Sequence, residues 1–133
     1  MAEKIKLEIV TPQRHLLTEE VDEVIAPGFE GEFGVLPDHT PFLTLLEIGV
    51  VRFRQGERER KVAVTGGFAE VLDNRVVILA RTAELQDEID VERAKKALER
   101  AEAKLKELSM DDEQYARFEA KLRRAIARLS AAD

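Results

Sequence analysis

Two rhythms of apolar and polar residues divide this chain, and they meet between Glu84 and Arg100. From Lys4 to Val10 the alternation is by twos. Ile5, Leu7 and Ile9 fall on one side and Lys4, Lys6 and Glu8 on the other, the pattern of a half-buried strand. Thr11-Pro12-Gln13 ends it. Short apolar runs follow at His15-Leu16-Leu17, Val21–Ala26, Phe42–Leu46 and Gly49–Arg54, while Gly28–Pro41 has the glycine and proline content of a loop. Gln55-Gly56-Glu57 predicts a hairpin turn before a strand at Arg58–Val64. Thr65-Gly66-Gly67-Phe68 predicts a tight corner. Strands at Phe68–Leu72 and Arg75–Ala80 are joined by Asp73-Asn74, two residues that tolerate positive φ. Many short strands with no helix between them predict an antiparallel sandwich or barrel over residues 1–84.

From Asp90 the rhythm changes. Val91, Ala94, Leu98, Ala101, Leu105 and Leu108 recur in steps of three and four with no glycine or proline, which puts them on one stripe of a helix over Asp90–Leu108. Ser109–Asp112 is a short connection. Tyr115, Phe118, Leu122, Ala125 and Leu129 repeat the stepping in a second helix over Glu113–Leu129. So short a link makes the two helices antiparallel neighbours. The fold class is therefore a two-part α+β chain, a β unit over 1–84 and a C-terminal helical hairpin over 85–133. Charge pairs four apart, Glu92–Lys96, Glu102–Lys106, Glu113–Arg117 and Glu119–Arg123, are expected on the outer faces, each adding ~0.2–0.5 kcal/mol. Half of the first helix's stripe is alanine, which removes little apolar area from water. Such a hairpin needs a third surface, its own β unit or another protein, and can exchange one docking for another.

Composition narrows the chemistry. The 133 residues are 44% hydrophobic and 36% charged, with a net charge of −6, which argues against nucleic acid as the main partner. There is no cysteine, so disulfides, thiolate catalysis and Cys-ligated metals are excluded. Met1-Ala2-Glu3-Lys4-Ile5 leads straight into strand alternation, so neither a signal peptide nor a membrane span is expected. His15 and His39 have no ligand-like neighbours, and Gly66-Gly67 lacks the spacing and following helix of a phosphate loop. Acidic pairs such as Asp111-Asp112 suit helix caps or turns. No active site and no metal site are expected.

The arginines of the hairpin carry the one candidate chemistry. Arg93 and Arg100 are two turns apart on one helix face, and Arg124 and Arg128 are one turn apart on the next helix. In a folded hairpin the four guanidinium groups would converge near Asp90 and call for an anion such as phosphate. The plainer reading pairs each with Glu92, Glu99 or another carboxylate and leaves Asp90 an ordinary helix N-cap. Taken alone, the residues favour the plainer reading.

Gly31-Glu32-Phe33-Gly34-Val35-Leu36-Pro37-Asp38-His39-Thr40-Pro41, followed by Gly66-Gly67-Phe68, resembles the epsilon subunit of bacterial and chloroplast F-type ATP synthases. The resemblance spans the whole chain. It implies a flattened ten-strand β-sandwich followed by two antiparallel helices, in a non-catalytic rotor subunit. The sandwich would bind the gamma subunit and touch the ring of c subunits through a loop holding Glu32 and His39. The helices would lie folded on the sandwich or extend along gamma toward the alpha and beta subunits, impeding ATP hydrolysis. Such a complex sits on the cytoplasmic face of the bacterial plasma membrane, with this subunit peripheral. Ile89-Asp90-Val91-Glu92-Arg93-Ala94 is similar to the I-D-x-x-R-A pattern of epsilon subunits that bind ATP in the folded hairpin. By that resemblance Ile89, Asp90, Arg93 and Ala94, with Glu84, Arg100, Arg124 and Arg128, hold ATP as a regulatory ligand, which reverses the preference stated for the arginines. The competing class is a free-standing nucleotide sensor or helical adaptor without a rotor role, which would have no use for the Gly31–Pro41 loop.

Overall fold

In the computed structural model, which describes residues 3–133, the first alternation becomes strand β1 (Ile5–Val10), with Ile5, Leu7 and Ile9 fully buried. Met1 and Ala2, counted above with the first unit, lie outside the described residues. Strands β2 (His15–Val21), β3 (Glu23–Gly28), β4 (Gly31–Val35), β5 (Phe42–Gln55), β6 (Arg58–Leu72), β7 (Arg75–Ala80) and β8 (Ala83–Leu85) follow. Their order across the sheet is β2-β1-β7-β6-β5-β3-β4, with β8 on the other part of β6. Pairing is antiparallel at every join except one, where β1 lies parallel to β7.

Eight strands do the work of ten because β5 and β6 are long enough to serve both layers. The first part of β6 pairs with β8 through Val62–Val64, and its last part pairs with β7 through Gly67–Leu72. At the change of partner stand Gly66 and Gly67, at φ +100° and +129°. A Cβ on Gly67 would stand 2.0 Å from the Leu79 carbonyl oxygen, so only glycine allows this approach. The predicted corner is thus a bend inside one continuous strand. The apolar runs Phe42–Leu46 and Gly49–Arg54 likewise merge, into β5.

Two elements escape the sequence pattern. Gly31–Val35, expected as loop, is edge strand β4, in register with β3 from Gly28↔Gly31 to Val24↔Val35. Its two glycines disguise it, and an edge position tolerates them. Strand β8 is too short to show a periodicity. The Asp73-Asn74 turn is as expected, with both residues at positive φ, 50° and 58°. Phe53, Val24, Val35, Val51, Val62, Val64, Val71, Val76 and Ile78 join the β1 residues in one core between the layers.

A single 3₁₀ turn (Gln86–Glu88) leads from β8 to helix α1 (Val91–Glu107), and α2 (Tyr115–Ala132) follows. The Asp90 carboxylate accepts the Arg93 backbone N–H at 3.0 Å and caps α1. Asp112 accepts the Gln114 N–H at 2.8 Å in the turn before α2. The two helices pack on each other, but only α2 packs extensively on the sandwich, against β5, β6 and the 3₁₀ turn. Ala131 meets Ala63 and Ile89 there. None of the four expected charge pairs forms. Instead Lys95 meets Glu92 at 3.7 Å and Lys104 meets Glu107 at 3.9 Å, while Arg123 reaches Glu47 of β5 at 2.8 Å. Docking gives Arg123 a better partner than its own helix offers.

Candidate functional site

The antiparallel helices leave a cleft of about 340 Å³ between them. Buried Ala101 and Ala125, with Ala97, keep its base shallow, and Phe118 also lines it. Arg93 and Arg100 of α1 and Lys121, Arg124 and Arg128 of α2 line it, with no carboxylate among the lining residues. The ion pairs on the hairpin are Lys95–Glu92, Lys104–Glu107, Arg123–Glu47 and Arg128–Glu84, so Arg93, Arg100, Lys121 and Arg124 belong to none of them. Glu92 pairs with Lys95 and not with Arg93. Of the four arginines only Arg128, through Glu84, has the carboxylate partner that the plainer reading gave to each, while Asp90 is the helix cap that reading expected.

Four unpaired cations around one concavity repel one another, and an anion with several oxygens relieves that repulsion. A second cavity, about 510 Å³ between α2 and the sandwich, offers no such surplus. There Arg52 bonds Glu32 at 3.0 Å and Arg123 bonds Glu47, so its arginines are already matched.

The eight positions named from the sequence fall into three groups. Arg93, Arg100, Arg124 and Arg128 share the cleft. Glu84 of β8 lies outside its lining but accepts the Arg128 Nε–H at 2.6 Å, and Asp90 is linked to Arg93 through its backbone. Ile89 and Ala94 are buried packing residues, Ile89 against Ala63 and Ala131 beneath the end of α2. Lys121, Phe118 and Ala97 were not among those positions. Lys121 was legible, because steps of three to Arg124 and seven to Arg128 put it on the same helix face.

The sandwich carries a different surface. Leu45, Phe68 and Leu79 stand side by side on β5, β6 and β7, at 47%, 51% and 53% exposure, with Leu43 and Leu72 beside them. Glu32 lies within β4, not in a loop, and faces the cavity beside α2, whereas His39 does lie in the connection 36–41. That connection is held by Asp38, at φ 67°, whose N–H donates to Asn74 at 2.6 Å. The His39 ring tilts over Phe42, 6.2 Å away.

Residues 4–86 match the model of the ATP synthase Delta/Epsilon chain beta-sandwich domain, and residues 87–133 match that of the long alpha-helix domain. The chain belongs to the ATP synthase epsilon-chain family. It is 57% identical to the ATP synthase epsilon chain of Syntrophobacter fumaroxidans, covering 100% of this chain and 98% of that one. The epsilon chain of Geobacter sulfurreducens is 51% identical, over 99% and 96% of the two chains. A chain in the Euglena gracilis mitochondrial ATP synthase, a structure of OSCP, F1 and c-ring, superposes with a TM-score of 0.81 at 32% identity, covering 97% of this chain and 81% of that one. The two family models meet between Gln86 and Asp87, within the 3₁₀ turn that separates β8 from α1. Among the described residues, no helix of this epsilon-family chain is long and apolar enough to cross a membrane.

Proposed function

We propose that this chain is a non-catalytic central-stalk subunit of a proton-translocating F-type ATP synthase, with a hairpin that binds ATP when folded and restrains hydrolysis when extended. The observation that carries the ATP reading is the cleft of unpaired cations. It is made from both helices, so a polyphosphate held by Arg93 and Arg100 on one side and Arg124 and Arg128 on the other requires them together. The Arg128–Glu84 pair adds a requirement that α2 lie on the sandwich. A ligand that needs one arrangement stabilises that arrangement by its difference in affinity. At one hundred times its dissociation constant ATP would add ~2.7 kcal/mol, large beside a hairpin whose buried residues are small. No metal is required of this chain.

The exposed Leu45-Phe68-Leu79 ladder supports a gamma subunit as permanent partner, because a lone chain leaves this apolar face in water. The connection holding His39, with Glu32 on the adjoining strand, would face the ring of c subunits. The alpha and beta subunits would receive the extended helices. In this role the chain is peripheral, on the cytoplasmic face of a bacterial plasma membrane. Isothermal titration with ATP tests the site: Arg93→Ala and Asp90→Ala should each weaken binding by about tenfold or more. Unchanged affinity in both rejects it, and failure to co-purify with a gamma-type subunit rejects the rotor role.

A further inference from the structure

We infer that Lys121 is a fifth cationic ligand of the bound polyphosphate, a position that the arginine pattern does not include. The inference rests on the reading of the cleft as an ATP site. Arg93 to Arg100 and Lys121 to Arg128 each span seven residues, about 10 Å along a helix, and the helices run in opposite directions. Arg93 therefore stands across from Arg128 at the end of the cleft near β8, and Arg100 across from Lys121 and Arg124 at the end near the hairpin turn.

The two ends differ in charge. Arg128 is already matched by Glu84 at 2.6 Å, whereas Arg100, Lys121 and Arg124 have no acidic partner. The surplus lies at the end near the hairpin turn, where a polyphosphate's several negative oxygens are best met. Within that group Lys121 is held only by the Phe118 ring, with Nζ 4.9 Å from the centroid. A cation over a partly exposed ring is weakly held, and a four-carbon stem lets the ammonium swing to a phosphate oxygen at little cost. Lys104, on α1, approaches the same ring at 5.8 Å but has Glu107 at 3.9 Å and does not line the cleft. It provides the comparison: same ring, same hairpin, charge already answered.

The test is isothermal titration of the full chain with ATP, with far-ultraviolet circular dichroism to confirm equal helix content. Lys121→Gln should weaken ATP binding about tenfold, the loss of one charged hydrogen bond. Lys121→Arg should restore most of it, and Lys104→Gln should leave it within about twofold because that side chain donates nothing to the ligand. If Lys121→Gln binds as the unmodified chain does while Arg124→Ala fails to bind, Lys121 is no ligand and the ATP site stands without it. If Lys121→Arg is as weak as Lys121→Gln, the side chain serves helix packing and the inference is wrong. An unmodified chain that takes up no ATP sinks the inference and the site together.

Discussion

The sandwich buries large apolar side chains and the hairpin only small ones. Within the sandwich the largest fully enclosed side chains are Phe53 and a set of isoleucines, leucines and valines between two layers, with Ala26 and Ala69 enclosed among them. In the hairpin, every fully buried residue of α1 and α2 is alanine: Ala94 and Ala101 on the first, Ala125, Ala127 and Ala131 on the second. A buried Phe or Leu removes enough apolar area to contribute ~1.5–3 kcal/mol, and a methyl group far less. Alanine does allow close backbone approach, which is how two short helices can form a cleft shallow enough to line with arginine. The same choice that builds the site makes its support weak. The β part is held by large buried side chains, and the helical part by close contacts between small ones.

The comparison breaks first at Phe53. Phe53→Ala should cost the sandwich about 3–5 kcal/mol, because the space it leaves lies between two layers that cannot close. Denaturant unfolding followed by far-ultraviolet circular dichroism gives the value. A loss under about 1 kcal/mol would mean that the sandwich is as loosely packed as the hairpin, and the contrast would fail.

A smaller change should separate the two parts. Ala131 has no exposed surface and meets Ala63 and Ile89 where α2 rests on the sheet. Ala131→Leu would overfill that contact and weaken docking by about 1–3 kcal/mol. Amide exchange should then quicken along α1 and α2 while the protected amides of β6 keep their rates, and ATP affinity should fall with the folded population. Equal acceleration in both parts would show that hairpin and sandwich unfold as one unit.

What the sequence made legible follows the same division. The period of two found β1, the apolar run after the Asp73-Asn74 turn found β7, and the period of three and four found both helices to within a few residues, because each of these signals is local to its own element. Strand β4 was hidden because its order comes from pairing with β3, through glycines that carry no pattern of their own. The parallel join of β1 to β7 and the docking of α2 alone are decided by surfaces far apart in sequence. That four arginines share one cleft could be named from spacing plus a short link, and Lys121 from the same arithmetic, but they spread along the cleft and do not gather at Asp90 as expected. The pairing of Arg123 with Glu47 could not, since 76 residues separate them. Local rules proposed Glu119, and the tertiary fold supplied a different acid.

The smallest expected effect concerns the tie at the junction of the two parts. Arg14 donates to both carboxylate oxygens of Glu88 at 2.8 Å and to the Ala83 carbonyl at 3.0 Å, and the Leu85 N–H donates to Glu88 at 2.9 Å. The Arg14 hydrogen bonds, then the Leu85 N–H, hold the Glu88 carboxyl below its ordinary value of 4.5. A carboxyl lowered by folding contributes its stability in full above that ordinary value and loses it as pH falls through the lowered one. Both side chains are partly in solvent, 43% and 37% exposed, so screening limits the pair to ~0.2–1 kcal/mol. Glu8, Glu19 and Asp22 are lowered in the same direction by Arg75, Arg60 and Lys4, so acid weakens the sandwich with or without Glu88. The difference between the unmodified chain and Glu88→Gln isolates this one tie. Its melting-temperature gap should be present near neutral pH and close in acid, with hairpin exchange rates unaltered, because every partner of Glu88 belongs to the sandwich. Faster exchange in α2 of Glu88→Gln would move the tie to the hairpin's side, and the line between the firm and the exchangeable part would then run before β8 and not after it.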